Sequence, residues 1–343
     1  MGNKGCFMGG AGLLGAAAGM QLMARNVNGV GTWYAHHIYP ILVGVIARFI
    51  GFFPFSVVEI GLYLLILGLI VYALRYWREP GRVAARGILL AGILLFLYTC
   101  NCGMNYYATS FSEYVGLERG VYSKEELQEL CEFLVEKVNE TAVEESYRDE
   151  KREWRKEGVC AMQRAGELFP ALGGFYPEPK EVAVSWILSV QQLCGIYSPF
   201  TIEANFNGDM PDYNIPHTLC HELSHLKGFM REDEANFIGY LACIGSERQA
   251  FRYSGYLTGW VYAGNALARA DREAYLELHG KLCEQAQRDL QENNAFWDRY
   301  EGKVAEAANQ MNDVYLKAND QSDGVQSYGR MVDLMLGYYR NGK

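Results

Sequence analysis

Five residues, His-Glu-Leu-Ser-His at 221–225, have the composition and spacing of a zinc site. On a helix, His221 and His225 share one face, so both imidazoles can reach a single Zn²⁺ at roughly 2 Å. Glu222 then projects beside the metal, where its carboxylate can act as general base toward zinc-activated water and later return the proton to a leaving amine. The five residues therefore predict zinc-dependent hydrolysis of peptide bonds.

Catalytic zinc usually has three protein ligands and one open position, so a third donor is required. Gly228 permits the motif helix to end in a left-handed turn, after which the chain can reverse and begin a second helix. Glu232, seven residues beyond His225, is the predicted third ligand. Acidic residues are common in any first helical turn, so Glu232 is not singled out by its position alone. Glu234 is the competing ligand, and if it does not bind the metal we expect it to lie next to the residues that do. Asn236, one turn beyond Glu232, is expected to hold a ligand histidine by a hydrogen bond.

Two late residues are candidates for stabilising the oxyanion of the reaction. Tyr328 and Arg330 follow an Asp-Gly turn, from which a hydroxyl or a guanidinium can swing toward the site. The alternative is that both are packing or surface groups. The motif itself also has an alternative interpretation, a solvated helix whose histidines pair with nearby acids.

Most of the chain beyond residue 105 has helical patterns. The capping-box pattern of Ser123 and Glu126 predicts the start of one amphipathic helix, and a second is expected over 149–172. Residues 199–206 alternate as a half-buried strand does. This strand is either a sheet edge along which an extended peptide substrate adds or an ordinary strand of the sheet. After residue 232 the pattern is helical, with breaks expected near Gly255 and across 319–324. The prediction is a mainly α chain with a small sheet.

The first hundred residues have the apolar runs of a membrane region. Residues 56–74 are long enough for a helical span, since about 20 apolar residues cross a bilayer, and the shorter run 87–102 can be extended through Tyr107. Residues 7–24 are a first span or a signal peptide, and we favour the span. Four arginines between residues 75 and 86 place that loop in the cytoplasm. We therefore predict a membrane region of about three spans over 1–105, and an extracytoplasmic catalytic domain over 106–343.

Charge excludes one class of partner. Residues 1–103 carry seven Lys or Arg and two Asp or Glu, a net charge of +5, which leaves 24 against 38, a net charge of −14, for the remainder. An acidic half of this size repels phosphates, so we expect no nucleic-acid partner. The nine cysteines are scattered without paired spacing, which argues against a disulfide framework.

The motifs together resemble a known family. His221 to His225 followed by Glu232 to Asn236 resembles the gluzincin pattern, and the whole chain resembles DUF3810, a family of uncharacterised bacterial membrane proteins. The matching pieces are Ile-Tyr-Pro (38–40), Pro-Phe-Ser (54–56), Pro-Phe-Thr-Ile-Glu-Ala (199–204), the zinc stretch with Glu-Ala-Asn-Phe (234–237), Tyr-Ser-Gly-Tyr (253–256) and Asp-Gly-Val-Gln-Ser-Tyr-Gly-Arg (323–330). The resemblance implies three spans, then an extracytoplasmic, α-rich zincin-like (α+β) metallopeptidase domain in which Glu232 is the third ligand. It implies no particular substrate.

Two functions from different classes follow from these patterns. The first is a membrane-anchored zinc metallopeptidase acting on peptides or proteins outside the membrane. The second is a zinc-containing receptor or signal transducer with little or no turnover. The sequence favours the first, because a binding module does not need Glu222 between two metal ligands.

Overall fold

The computed structural model describes residues 2–117, 120, 122–142, 151–319, 321, 330–340 and 342. The chain divides into two compact units. The first unit comprises residues 1–109 with 198–203, and the second comprises residues 110–197 with 204–343. Helices dominate, and a small three-stranded sheet accompanies them. The prediction of a mainly helical chain with a small sheet is confirmed.

The first unit contains six α-helices among its described residues. In chain order they are α1 (Asn3–Asn26), α2 (Val30–His37), α3 (Tyr39–Leu42), α4 (Arg48–Gly51), α5 (Val57–Arg75) and α6 (Pro80–Asn101), with a π-helical turn at Val43–Ala47 and a 3-10 turn at Gly103–Tyr107. Helices α1, α5 and α6 are long and apolar enough to cross a membrane. They coincide with the runs expected at 7–24, 56–74 and 87–102, and they support the predicted association with a membrane.

Helices α1 and α6 approach each other closely at glycines. A Cβ on Gly10 would lie 2.6 Å from the carbonyl oxygen of Ile88, and a Cβ on Gly92 would lie 2.6 Å from the carbonyl oxygen of Gly10. Only glycine allows backbones to come this near, and small residues are a common means of helix association in lipid. Gly10 of α1 and Gly92 of α6 are therefore explained by the packing of these two helices.

The start of α5 has side-chain acceptors for its first amides, which a helix cannot satisfy internally. Ser56 Oγ accepts a hydrogen bond from the Glu59 amide at 3.2 Å. The Glu203 carboxylate accepts from the amides of Val57 and Val58 at 3.0 and 2.9 Å. A carboxylate at this end also complements the helix dipole.

The second unit is built from the remaining helices. They are α7 (Phe111–Tyr114), α8 (Lys124–Thr141), α9 (Lys151–Leu168), α10 (Trp186–Ser189), α11 (Asn214–Lys227), α12 (Glu232–Ile244), α13 (Gln249–Ala270), α14 (Arg272–His279), α15 (Glu284–Asp298), α16 (Lys303–Ala318) and α17 (Met331–Arg340), with a 3-10 turn at Pro170–Leu172. Helix α11 packs against α9, α12 and α13. The predicted capping box opens α8, because Ser123 and Glu126 exchange hydrogen bonds between side chain and backbone.

The sheet corrects one prediction. Its strands are β1 (Lys180–Glu181), β2 (Gly195–Ser198) and β3 (Glu203–Phe206), in the order β1-β3-β2, and β1 runs parallel to β3 with Lys180 opposite Asn205. The strand expected over 199–206 begins only at Glu203, because Ile202 has a left-handed backbone (φ 50°) in the turn that joins β2 to β3. Of the two alternatives for this segment, the ordinary strand holds and the edge does not, because β3 is the central strand and β2 is an outer one.

A second correction concerns Gly255. The sequence predicts a helix break near this residue, but α13 continues through it from Gln249 to Ala270. A Cβ on Gly255 would lie 2.7 Å from Cβ of Cys243 on α12. The glycine permits the close approach of two helices and does not interrupt one.

Candidate metal centre

Helix α11 carries the predicted zinc motif and is buried almost throughout. Pro216 lies in its first turn, where the missing amide proton costs nothing, and Gly228 ends it with a left-handed backbone at φ 110°. The Gly228 amide donates to the His225 carbonyl at 2.9 Å, and the Phe229 amide donates to the Ser224 carbonyl at 3.1 Å. This stop lets the chain reverse, and α12 begins at Glu232.

The three predicted ligands converge. His221 Nε2 and His225 Nε2 are 3.1 Å apart, and Glu232 Oε2 lies 3.3 Å from the first and 3.6 Å from the second. Donors at about 2 Å from a tetrahedral ion stand roughly 3.3 Å from one another, so the three separations match those of one coordination sphere. All three side chains are largely shielded, with exposed fractions of 10 to 13%.

The orientation of His225 is fixed by a main-chain acceptor. Its Nδ1 lies 2.9 Å from the Phe229 carbonyl oxygen. Because a carbonyl only accepts, Nδ1 carries a proton, and in the neutral ring the lone pair is then on Nε2, which faces His221 and Glu232. This arrangement is typical of metal-binding histidines. His221 Nδ1 is buried, and none of the described groups accepts a hydrogen bond from it.

The charges of the cluster are strongly coupled. Burial opposes the charged form of His225, but the Glu232 carboxylate outweighs burial and raises the pKa of His225 to about 9. Burial alone would raise the pKa of Glu232, yet the neighbouring His225 and hydrogen bonds from both imidazoles hold it well below its usual range. A cation at this point would replace the proton on His225 Nε2 and keep the same attraction to the carboxylate.

Glu222 lies on the same helix beside the ligands and is only 4% exposed. Its Oε2 is buried, and no described group forms a hydrogen bond with it. Burial raises the pKa of Glu222 to about 7, and the two histidines oppose that rise. The carboxylate therefore stands next to the donor cluster without being committed to a structural partner.

The family can be assigned once this geometry is known. A protein-family model described as "Protein of unknown function (DUF3810)" matches residues 34–336. The chain belongs to the DUF3810 family. The resemblance to DUF3810 is thereby confirmed, and the description of the family names no activity. No curated protein and no solved structure matches the chain.

In this DUF3810 protein, Glu234 and Asn236 are engaged elsewhere. The Glu234 carboxylate accepts hydrogen bonds from the amides of Phe111 and Ser112 at 2.9 and 3.3 Å, and from Ser112 Oγ at 2.9 Å, so it holds the start of α7. The Asn236 main-chain oxygen lies 3.1 Å from Nε2 of His217 and receives its hydrogen bond. The hydrogen bond expected from Asn236 to a ligand histidine is not among the described contacts.

Of the two candidates for the oxyanion, only Arg330 lies among the described residues. Tyr328 lies outside the described residues. Arg330 has its Nε 3.6 Å from Oδ2 of Asp233, a fully buried carboxylate adjacent in sequence to Glu232. Arg330 is thus paired with a neighbour of the candidate ligand.

Sequence reasoning missed three residues of this DUF3810 site. Gly195 of β2 lies against the Glu222 carboxylate. The ring of Tyr197 lies 6.5 Å from that of His225, measured between centroids. Tyr262 of α13 interacts electrostatically with Glu232 and with the Asn236 side chain, and burial is the main cause of its raised pKa. None of the three belongs to a local motif, so only the tertiary structure could reveal them.

Proposed function

We propose that this protein is a membrane-anchored zinc-dependent metallopeptidase that hydrolyses peptide bonds outside the membrane. The observation that carries the proposal is the convergence of three donor atoms, from His221, His225 and Glu232. The buried Glu222 carboxylate beside them favours catalysis over binding alone, because three donors suffice to hold a metal.

The donor set fits zinc. Zn²⁺ is bound by imidazole nitrogen and carboxylate oxygen in four-coordinate sites, whereas Ca²⁺ and Mg²⁺ select about six or more oxygens. His221, His225 and Glu232 would hold the ion, and three protein donors leave one position for a reactant. When bound, zinc would supply Lewis acidity toward a carbonyl oxygen or water.

Glu222 would move the protons of the reaction. It follows His221 directly, and its Oε2 has no partner among the described groups. From this place the carboxylate can accept a proton from attacking water and deliver it to the nitrogen of the leaving amine. Assistance of this kind contributes typically ~10²–10⁴-fold to a rate.

An extended peptide is the substrate that the sheet would accept. The sheet order makes β2 an outer strand, and Gly195 and Tyr197 of this strand adjoin Glu222 and His225. A peptide that paired with residues 195–197 would present its backbone carbonyls to the candidate metal centre. A short sheet beside the motif helix supports a zincin-like arrangement, with β2 in the role that the sequence had suggested for residues 199–206.

The location outside the membrane rests on charge. Three helices are able to cross a bilayer, and four arginines in residues 75–86 lie in the loop between α5 and α6 or in the adjoining ends of these two helices. By the positive-inside rule this loop is cytoplasmic, and α6 then returns the chain to the opposite side. The partners are accordingly a lipid bilayer and a peptide or protein substrate.

The full-length chain in lipid nanodiscs, loaded with zinc, provides the test. We expect it to cleave members of a mixed peptide library, detected by mass spectrometry, and we expect Glu222→Gln to retain zinc while cleavage falls by at least about 100-fold. Glu284→Gln, at a side chain that is 93% exposed, is the control and should cleave as the natural chain does. If the zinc-loaded natural chain cleaves no peptide, the metallopeptidase is contradicted and the receptor or transducer is favoured.

A further inference from the structure

Strand β2 meets the candidate general base at a glycine. A Cβ built on Gly195 would lie 2.5 Å from Oε1 and 2.8 Å from Cγ of Glu222. Ordinary contacts of a Cβ lie at about 3.4 Å or more, so a methyl group at 195 and the present position of the Glu222 carboxylate exclude each other. Because Gly195 has no side chain, the Glu222 carboxylate can occupy this space.

A methyl group at 195 would also meet the neighbouring strand. The same Cβ would lie 2.8 Å from the main-chain oxygen of Asn205, on the neighbouring strand β3. The hairpin is closed at this end by the Asn207 amide, which donates to the Cys194 carbonyl at 2.8 Å. A larger residue at 195 must therefore displace both the Asn205 oxygen and the Glu222 side chain, and the side chain is the softer of these two partners.

We propose that Gly195 is a positioning residue that acts through Glu222. The bare backbone of β2 forms a wall against one oxygen and Cγ of the carboxylate, and this wall fixes the direction in which the carboxylate points. The inference rests on the proposed function, since it assigns Glu222 the role of moving protons. It adds that the outer strand β2 positions the general base as well as pairing with the substrate.

The proposal predicts a specific division of effects. The metal donors His221, His225 and Glu232 are not among the atoms nearest to a Cβ at 195, so zinc should stay bound in Gly195→Ala. The carboxylate must shift by about 1 Å to restore normal contact, and a displacement of that size can cost ~100-fold in rate. We therefore expect kcat to fall by about 10-fold to 100-fold, with KM within about threefold of the natural chain.

The first experiment compares two glycine-to-alanine variants of the full chain in nanodiscs. Gly280→Ala is the matched control, because Gly280 has a helical backbone (φ −67°) and its Cβ would meet nothing closer than 3.4 Å. Zinc content, kcat and KM are measured on a peptide that the natural chain cleaves. The expected result is normal zinc in both variants and reduced kcat in Gly195→Ala only. Equal kcat in both variants would overturn the proposal.

A second measurement does not depend on activity. Gly195→Ala is made alone and together with Glu222→Ala, which removes the Glu222 atoms that clash and leaves the Asn205 oxygen in place, and thermal unfolding is followed in all four proteins of the cycle. We expect the fall in Tm caused by Gly195→Ala to shrink by at least half in the Glu222→Ala background. An equal fall in both backgrounds would show that no contact couples the two residues and would overturn the proposal. If the natural chain cleaves nothing, the proposed function fails, while this cycle still decides whether Gly195 positions Glu222.

Discussion

Helices α5 and α11 distribute their side chains in opposite ways. Helix α5, in the first unit, is apolar but lies mostly outside the protein interior, with Leu64 and Leu74 63% and 71% exposed. Helix α11, in the second unit, is surrounded by protein yet carries polar groups inward, among them Glu222, Ser224 and His225. Helix α5 thus has an apolar exterior, since its exposed side chains are apolar. Helix α11 contributes to a polar interior, since it buries polar side chains.

Each arrangement is unfavourable in water, and each therefore indicates what surrounds or fills it. Exposed leucines are stable where the solvent is hydrocarbon, which removes the cost of their contact with water. Buried ionisable groups cost several kcal/mol unless they are paired or bind a metal. A hydrocarbon environment thus accounts for the exposed apolar side chains of α5. Ion pairing or metal binding accounts for the buried ionisable side chains of α11.

The largest expected effect is the loss of zinc affinity when a candidate ligand of the polar interior is removed. His225→Ala and Glu232→Ala should each weaken zinc binding by more than ~100-fold, because loss of a ligand exceeds the 10-fold to 100-fold effect of an outer partner. Glu234→Ala is the control and should keep the affinity, since its carboxylate binds amides of α7. Chelator competition with elemental analysis measures the affinities. Zinc loss in Glu234→Ala with retention in Glu232→Ala would move the third ligand to Glu234.

The next effect tests the apolar exterior. Leu67→Arg, near the middle of α5 at a side chain that is 58% exposed, should oppose membrane insertion by about 3 kcal/mol. Met311→Arg on α16 replaces a side chain that is 74% exposed in the second unit and should leave insertion unchanged. Insertion of α5 itself, followed with glycosylation sites placed before and after it, provides the measurement, because α1 and α6 can hold the chain in the membrane without α5. Normal insertion of Leu67→Arg would mean that α5 does not span the bilayer.

His217 allows a test of the polar interior by pH. Burial lowers the pKa of His217 from 6.5 to about 3. Below pH 6.5 the unfolded chain therefore binds a proton that the folded chain does not. As the pH is lowered from 6.5, the free energy of unfolding should fall by about 1.4 kcal/mol for each pH unit, until the pH approaches 3. His217→Gln should remove this slope in denaturant unfolding of the detergent-solubilised chain with excess chelator.

Ser254→Ala is the control for that experiment. Ser254 Oγ accepts a hydrogen bond from the His217 amide at 3.1 Å, so its removal should lower stability by a similar amount at every pH. Identical slopes in the natural chain and in His217→Gln would contradict a buried neutral imidazole.

The smallest effect lies at a helix end in water, where neither lipid nor the site is involved. Ser123→Ala removes the cap of α8 and should lower the free energy of unfolding by about 1 kcal/mol. Ser123→Asp keeps an acceptor at the same position and should lose much less. Equal losses in both variants, measured by denaturant unfolding, would mean that the cap contributes no stability.

Features that depend on local physics could be predicted from the sequence. The three apolar helices follow from hydropathy alone, and the start of α8 follows from Ser123 and Glu126, because a cap uses residues three apart. The pairing of His221 with His225 follows from helical periodicity, and the direction of Glu232 follows from the glycine stop and the reversal of the chain.

The remaining features depend on contacts between distant segments. The position of β3 inside the sheet depends on β1, some 20 residues earlier, and alternation along one strand cannot reveal its neighbours. Gly255 was interpreted as a break because the sequence does not show that Cys243 lies against it. Gly195 and Tyr262 join the site for the same reason, since their partners lie 27 and 30 residues away in the chain.

The turn at Gly228 has a consequence for the imidazole next to it. The backbone reversal there brings the Phe229 carbonyl over His225 Nδ1, so one glycine both stops the helix and selects the tautomer of a candidate ligand. A residue that resists a positive φ would draw this carbonyl away. The ring proton would then be free to migrate between the two nitrogens, and for part of the time an incoming cation would encounter N–H where it needs an electron pair.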